Sequence, residues 1–376
     1  MGSSDNNSGR RLLSLDALRG FDMIWILGAE GIFSALFVIT GWPLLEVFSN
    51  QFLHSKWHGF TFYDLIFPLF IFLSGVTLGL SNTSLYELAM SEKLIVYRKA
   101  VKRLLILFFL GIIYNHGWGQ GVPLELENIR FASVLFRIGF AWFVCAMIVW
   151  HLRLNTQVII AFCLLVFYWI LQQYIPTPDG HIGQLTMDHS WNAWVDQLCL
   201  PGISYRNQAT DPEGLLSQIP AVVNALCGAF AGRLLVTNKL TQLGKVSALL
   251  LLALCCLFVG YVWSNFLPIN KTLWTSSFVL VSVGYSYLLL ATFYYLFDVC
   301  KFEKIGIIFS VIGINSILLY LLSSLFNWRY LLDSLFSQIL SELDVGLSAL
   351  VSLFMIVSIQ YYFAKILYQY RVFVRV

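Results

Sequence analysis

Ten apolar runs, each close to the length of a bilayer crossing, recur along this chain, and a water-soluble fold has no interior large enough to hide them. A helix needs roughly 17–25 mostly apolar residues to cross about 30 Å of hydrocarbon. Runs of that order occupy residues 19–40, 62–82, 101–116, 131–150, 155–174, 215–235, 246–267, 276–298, 305–326 and 345–367. Only 11% of the residues are charged and 59% are hydrophobic, against about 25% charged in a soluble domain. The expected fold is an all-α polytopic membrane protein of about ten transmembrane helices.

Basic residues set the expected orientation, because cytoplasmic loops of membrane proteins are enriched in Lys and Arg. With ten spans both termini share a side, and seventeen of the 23 Lys and Arg fall on it. Both termini are therefore expected in the cytoplasm. The net charge of +3 comes from that excess, which an anionic inner leaflet satisfies without any nucleic acid. Residues 1–10 read as a disordered polar leader and 11–376 as one transmembrane domain. The Pro-, Gly-, Trp- and Asp-rich segment 176–214 is too small for its own core and reads as a cap over an outer cavity. Five of the seven cysteines, Cys145, Cys163, Cys227, Cys255 and Cys256, lie in apolar runs and read as buried apolar residues. No disulfide framework or metal-ligand spacing is visible.

Polar groups inside such runs are costly and therefore candidates for function. Asp16 and Arg19 stand three apart on one helical face at the start of the first run, the geometry of a local ion pair, with Asp22 close by. Glu30 follows Asp16 by fourteen residues, about 21 Å along a helix, and a desolvated carboxylate there suits a proton acceptor as well as a structural hydrogen bond. In FLHSKWHGFTFYDLIFPLFIFLSG (52–75) titratable chemistry meets the bilayer most densely. His54 and His58, four apart around Trp57, admit three readings: a metal pair, an interfacial polar group, or a general base or acyl acceptor near neutral pH. The metal reading lacks the glutamate of an H-E-x-x-H motif. Asp64 is placed either to orient an imidazole or to cap the following helix.

The stretches RLLSLDALRGFDMIWILGAE (11–30) and HSKWHGFTFYDLIFPLFIFLSG (54–75) resemble the transmembrane heparan-alpha-glucosaminide N-acetyltransferase family, and DALRGFDMIWILGAE more narrowly resembles its bacterial NagX-like branch, often labelled a transporter. LFRIG (135–139), DPEGLLSQIPAVVNALCGAFAGRLL (211–235), NKTLWTSSFVL (270–280) and GINSILLY (313–320) follow in family order. The resemblance implies that acetyl from cytoplasmic acetyl-CoA is delivered across the membrane to the amino group of glucosamine or a glucosaminide at the periplasmic side. It also implies a homodimer in a bacterial inner membrane. The family's proposed active-site histidine falls on His54, and its intramembrane asparagine falls on Glu30, a departure that exchanges an amide donor for a carboxylate.

On that reading His54, relayed with Glu30, accepts the amine's proton, and Asn270, Asn315 or Ser316 donates to the oxyanion; an acetyl-histidine intermediate is the competing route. Arg137, expected to pair with Asp211 or Glu213 or to meet the sugar, joins Asp64, Asp211, Glu213, Lys271 and Trp274 as substrate-binding candidates. Arg11, Arg19, Lys99, Lys102, Arg103 and Arg233 are candidates for the CoA phosphates, although basic residues on that face also serve topology. An amino-sugar transporter is the alternative, and it predicts a midplane site built on broken helices. The sequence shows no matched pair of Gly- or Pro-interrupted runs, which favours the enzyme.

Overall fold

The computed structural model describes residues 12–81, 85, 89–119 and 121–374; the leader and the candidate Arg11 lie outside them. Among the described residues there are fifteen α-helices and no strand, with one isolated bridge between Arg130 and Gly202. In chain order they are α1 (Leu13–Ile26), α2 (Ile32–Thr40), α3 (Pro43–Gln51), α4 (Phe62–Ser81), α5 (Met90–Asn115), α6 (Val134–His151), α7 (Leu154–Tyr174), α8 (Trp191–Cys199), α9 (Gln218–Val236), α10 (Gln242–Trp263), α11 (Ser276–Phe293), α12 (Glu303–Ile314), α13 (Ser316–Leu325), α14 (Trp328–Ser341) and α15 (Val345–Gln369). The chain is an integral membrane protein, and nine of its ten apolar runs fall on candidate spans. Among the described residues seven helices are long and apolar enough to cross a membrane, or up to nine if two bent pairs each form one span. The run at 101–116 belongs to α5, whose first half carries Lys93, Arg98, Lys99, Lys102 and Arg103 and is too charged to join them.

Two of these candidate spans are interrupted. The first run is α1 and α2 joined through a 3-10 turn at Ala29–Gly31 and bent by 64°; the ninth is α12 and α13, bent by 57° at Asn315. Gly28 makes the first bend with φ of 123°, a conformation in which an L side chain is strained. A break at membrane depth frees backbone groups that no water can satisfy, and polar side chains fill the deficit. Gln360 of α15 donates to Leu27 O at 3.0 Å. Asn315 donates to Val372 O at 3.1 Å and accepts from Val374 N at 2.9 Å, stitching the C-terminal segment to the second bend.

Close packing centres on glycine. A Cβ at Gly75 of α4 would lie 1.9 Å from Ala225 O, and one at Gly228 of α9 would lie 2.0 Å from Phe72 O. With Gly79 and Gly232 these form facing small-x-x-x-small ridges, the contact that lets membrane helices approach backbone to backbone. The α1 and α12 pair meets in the same way, where a Cβ at Gly20 would fall 1.8 Å from Phe309 O and one at Gly313 1.8 Å from Asp16 O. Around these pairs the helices sort by exposure. The apolar windows of α4 and α9 are 78% and 67% buried, whereas those of α7, α10 and α15 are only 22%, 17% and 17% buried and form the lipid-facing rim.

Candidate functional site

A cavity of about 1780 Å³ opens between the two glycine-packed pairs, larger than the 300–1,000 Å³ of most small-molecule pockets. A stripe that runs from Leu12, the residue before α1, through Asp16, Arg19 and Met23 to Ile26 contributes to its lining, and a stripe of α4 that includes Tyr63, Phe67, Phe70, Ser74, Thr77 and Ser81 faces it. Both stripes step by three and four residues, the period of a single helical face. From Tyr63 to Ser81 the wall of α4 rises about 27 Å at 1.5 Å per residue, close to the hydrocarbon thickness. The cavity therefore has two chemically distinct ends.

At one end stands His54, in the loop between α3 and α4. Its Nδ1 lies 2.8 Å from Asp64 Oδ1; the imidazole is half exposed and the carboxylate fully buried. Asp64 sits in the first turn of α4 and performs both roles foreseen for it. Its second oxygen accepts from the N–H groups of Ser55 and Thr61, each at 3.2 Å, and from the Thr61 hydroxyl at 3.1 Å. An ionised carboxylate only accepts, so Nδ1 carries the hydrogen, and in the neutral imidazole Nε2 is left with a lone pair. This is how an aspartate orients a catalytic histidine.

Lys271 joins the pair from the loop between α10 and α11. Its Nζ lies 3.5 Å from the same Asp64 Oδ1 and 3.0 Å and 3.4 Å from the two imidazole nitrogens. The loop around it is pinned: Gly59 N donates to Ile269 O at 2.9 Å, Leu273 N to Asn270 Oδ1 at 2.8 Å, and Ser277 Oγ to Leu267 O at 2.6 Å. Burial holds the Lys271 ammonium below its ordinary range, and the attraction of Asp64 and Glu213 offsets part of that effect.

Glu213 lines the same end, where Arg130 donates to it at 2.6 Å and to both Asp211 oxygens at 2.9 and 3.2 Å. The partner expected for these acids was Arg137, and the structure corrects it. Arg137 is fully buried, donates to Gly214 O and to Ser217 Oγ, and lies with its guanidinium 4.6 Å from the Trp274 ring. Asp211 is fully buried beneath Arg130. Segment 211–215 is also fastened from α8, where Asp196 accepts from Asp211 N at 3.1 Å and Leu215 N at 2.9 Å. Burial pushes the Asp196 carboxyl up to about 6.

Several candidates fall elsewhere. Glu30 sits in the 3-10 turn at the first bend, off the cavity wall, with Oε2 buried and unpartnered. The Tyr63 hydroxyl comes between, within electrostatic reach of Glu30, while the Tyr63 ring packs 4.8 Å from that of His54. Trp274 is 1% exposed and donates to Asn224 Oδ1, so it presents no face to a sugar. Asn270 is fully buried in its own turn, reaching only His58 Nδ1 at 3.4 Å, and Asn315 is fully buried in the second bend. Neither amide lines the cavity, but Ser316 does, with Tyr114 and Tyr320, whose rings stack 4.2 Å apart.

At the other end Arg19 and Arg103 line the wall, with Lys245, Lys301, Asp16, Asp298 and Glu303. Arg19 pairs with Asp16 at 3.4 Å, as their spacing suggests. Arg103 lies 4.1 Å over the Trp142 ring with its Nε buried and unpartnered, close enough to Arg19 for the two cations to repel. Lys99 and Lys102 are exposed on α5, away from the wall. Arg233 donates to Gln157 Oε1 at 2.8 Å and braces the turn between α6 and α7. Sequence reasoning missed Tyr63, Tyr114, Tyr320, Lys245 and Lys301. The period of the α4 stripe is a signal that would have found Tyr63, whereas nothing local separates Lys245 or Lys301 from other basic residues on that face.

No protein-family model matches the chain. Over 365 residues it is 29% identical to heparan-alpha-glucosaminide N-acetyltransferase of Mus musculus, covering 84% of this chain and 53% of that protein. Against the Homo sapiens protein of the same name it is 27% identical over 362 residues, covering 82% of this chain and 52% of the other. The chain thus spans about half the length of the curated relatives it matches.

Proposed function

Since the chain belongs to the family of transmembrane acetyltransferases typified by heparan-alpha-glucosaminide N-acetyltransferase, we propose that it moves acetyl from cytoplasmic acetyl-CoA to the amino group of glucosamine or a glucosaminide on the periplasmic side of a bacterial inner membrane. One observation carries the reading: a single cavity joins a His–Asp pair to a basic collar over about the thickness of the hydrocarbon. An extended CoA thioester suits that shape. Arg19, Arg103, Lys245 and Lys301 would hold its phosphates, and its thioester would reach His54. Arg11, outside the described residues, remains a candidate for the phosphates, and both termini are cytoplasmic in this reading.

The amino sugar enters at the His54 mouth, beneath the 176–214 segment, which is tied to the site by Trp57 Nε1 donating to Leu185 O at 2.7 Å. An amine attacks a thioester only as the free base, so a proton acceptor must stand at the point of attack. His54 Nε2, aligned by Asp64, fills that role. Glu30, reached through Tyr63, serves as a second proton site rather than as a group touching the sugar. Glu213, Tyr114, Tyr320 and Ser316 offer hydroxyl and carboxylate contacts to the acceptor. The protein acts as a homodimer, checked by its mass in detergent.

The test supplies purified protein with acetyl-CoA and glucosamine and follows free thiol together with N-acetylated sugar. Thiol release in step with product supports the reading. The two bent spans also belong to the repertoire of secondary transporters, so sugar flux into liposomes without thioester cleavage is the outcome that would replace it.

A further inference from the structure

Acyl transfer passes through a tetrahedral intermediate whose oxyanion needs a donor or a cation in place beforehand, and the amides that the sequence nominated for that task are committed elsewhere. Asn270 spends its carbonyl on Leu273 N and its amide on His58; Asn315 spends both on the C-terminal segment. Glu30 is a carboxylate, and it stands off the wall. The cation that the wall does present beside His54 is Lys271. It is 20% exposed, held on a pinned loop, and its Nζ converges with His54 Nδ1 on one oxygen of Asp64.

Resting on the acetyl-transfer reading, we infer that Lys271 is a catalytic residue, whose ammonium stabilises the oxyanion of the acetyl carbonyl beside the His54 base. The substrate ammonium first gives one proton to water at the open mouth. The free amine then forms the N–C bond to the acetyl carbon while the carbonyl oxygen gains negative charge against Lys271 Nζ. His54 Nε2 takes the second amine proton. As the oxyanion collapses, the C–S bond breaks, and that proton passes from His54 to the departing sulfur, releasing HS–CoA and the amide. Lys271 keeps its protons throughout.

The experiment uses the purified full chain, acetyl-CoA and glucosamine, with thiol release followed from pH 5 to 9 for the wild type, Lys271→Met and Lys271→Arg. Loss on the order of 10²-fold in kcat for Lys271→Met, with KM for acetyl-CoA within about threefold, is the expected result. Lys271→Arg, which keeps a cation in the same place, should recover about tenfold of that loss. If the Met variant fails to elute as a folded peak, Lys271→Gln replaces it in the same comparison. A kcat within about threefold of wild type, or a loss carried by KM alone, overturns the inference. A wild-type protein that releases no thiol with glucosamine overturns the underlying reading instead.

Discussion

At the His54 end of the cavity the ionisable groups on the wall are tied to one another through short, directional contacts: His54 and Lys271 share Asp64, and Glu213 is clamped by Arg130. The Arg19 end is built differently. Its cations line a wide wall, with Arg19 on its own helix neighbour, Arg103 stacked on Trp142 and Lys245 donating to Leu235 O at 2.6 Å. The contrast separates two jobs. Breaking and making bonds demands groups held within fractions of an ångström, whereas gathering a polyanion demands positive charge in a region where partners can shift.

The largest effect that would break this comparison lies at the tied end. Substitution of His54 by Ala should lower thiol release on the order of 10³-fold while the protein still elutes as a folded species; near wild-type rates would remove His54 from the chemistry. Asp64→Asn should cost on the order of 10²-fold in kcat, because an amide that donates to Nδ1 selects the wrong tautomer, with a smaller change in KM. An Asn variant of unchanged kcat would reduce Asp64 to a helix cap.

The collar should respond in a different parameter. Arg103→Met is expected to raise KM for acetyl-CoA by about tenfold, with kcat within about threefold, and to weaken the dependence of KM on salt. Should the substitution lower kcat and leave KM alone, the division between the two ends fails.

A smaller effect concerns the brace behind Glu213. Burial raises the folded-state carboxyl of Asp196 to about 6 from an ordinary 3.8. A raised acid is favoured in its protonated form by folding, so its stability contribution is full below about pH 4 and is lost as the pH climbs through 6. The wild type should therefore lose melting temperature between pH 4.5 and 6.5 relative to Asp196→Asn, whose profile should be flatter. Parallel profiles would mean that the carboxyl does not titrate in that range.

How much of this was legible depends on whether the information is local. The helical class and most of the spans follow from apolar run length, and the pairing of His54 with Asp64 lies within a ten-residue loop and helix start. Asp16 and Arg19 pair as three-residue spacing predicts. Contacts between distant loops were not legible. Arg130 and Arg137 are seven residues apart and chemically equivalent on paper, and only the fold decides that the first meets Asp211 while the second lies under Trp274. The same holds for Asn315, whose amide serves a bend created by neighbours fifty-odd residues away. The broken spans escaped notice because Gly28 and Asn315 interrupt hydropathy too briefly to show in a run-length reading.

In the proposed reaction acetyl donor and amine meet from opposite ends of one cavity. Proteoliposomes with acetyl-CoA sealed inside and glucosamine outside test it directly. The expectation is thiol appearing inside and N-acetylglucosamine outside, at a rate set by the fraction of molecules inserted with the Arg19 end inward. Turnover only when both substrates share a compartment, or labelled sugar accumulating inside with the thioester intact, would contradict it.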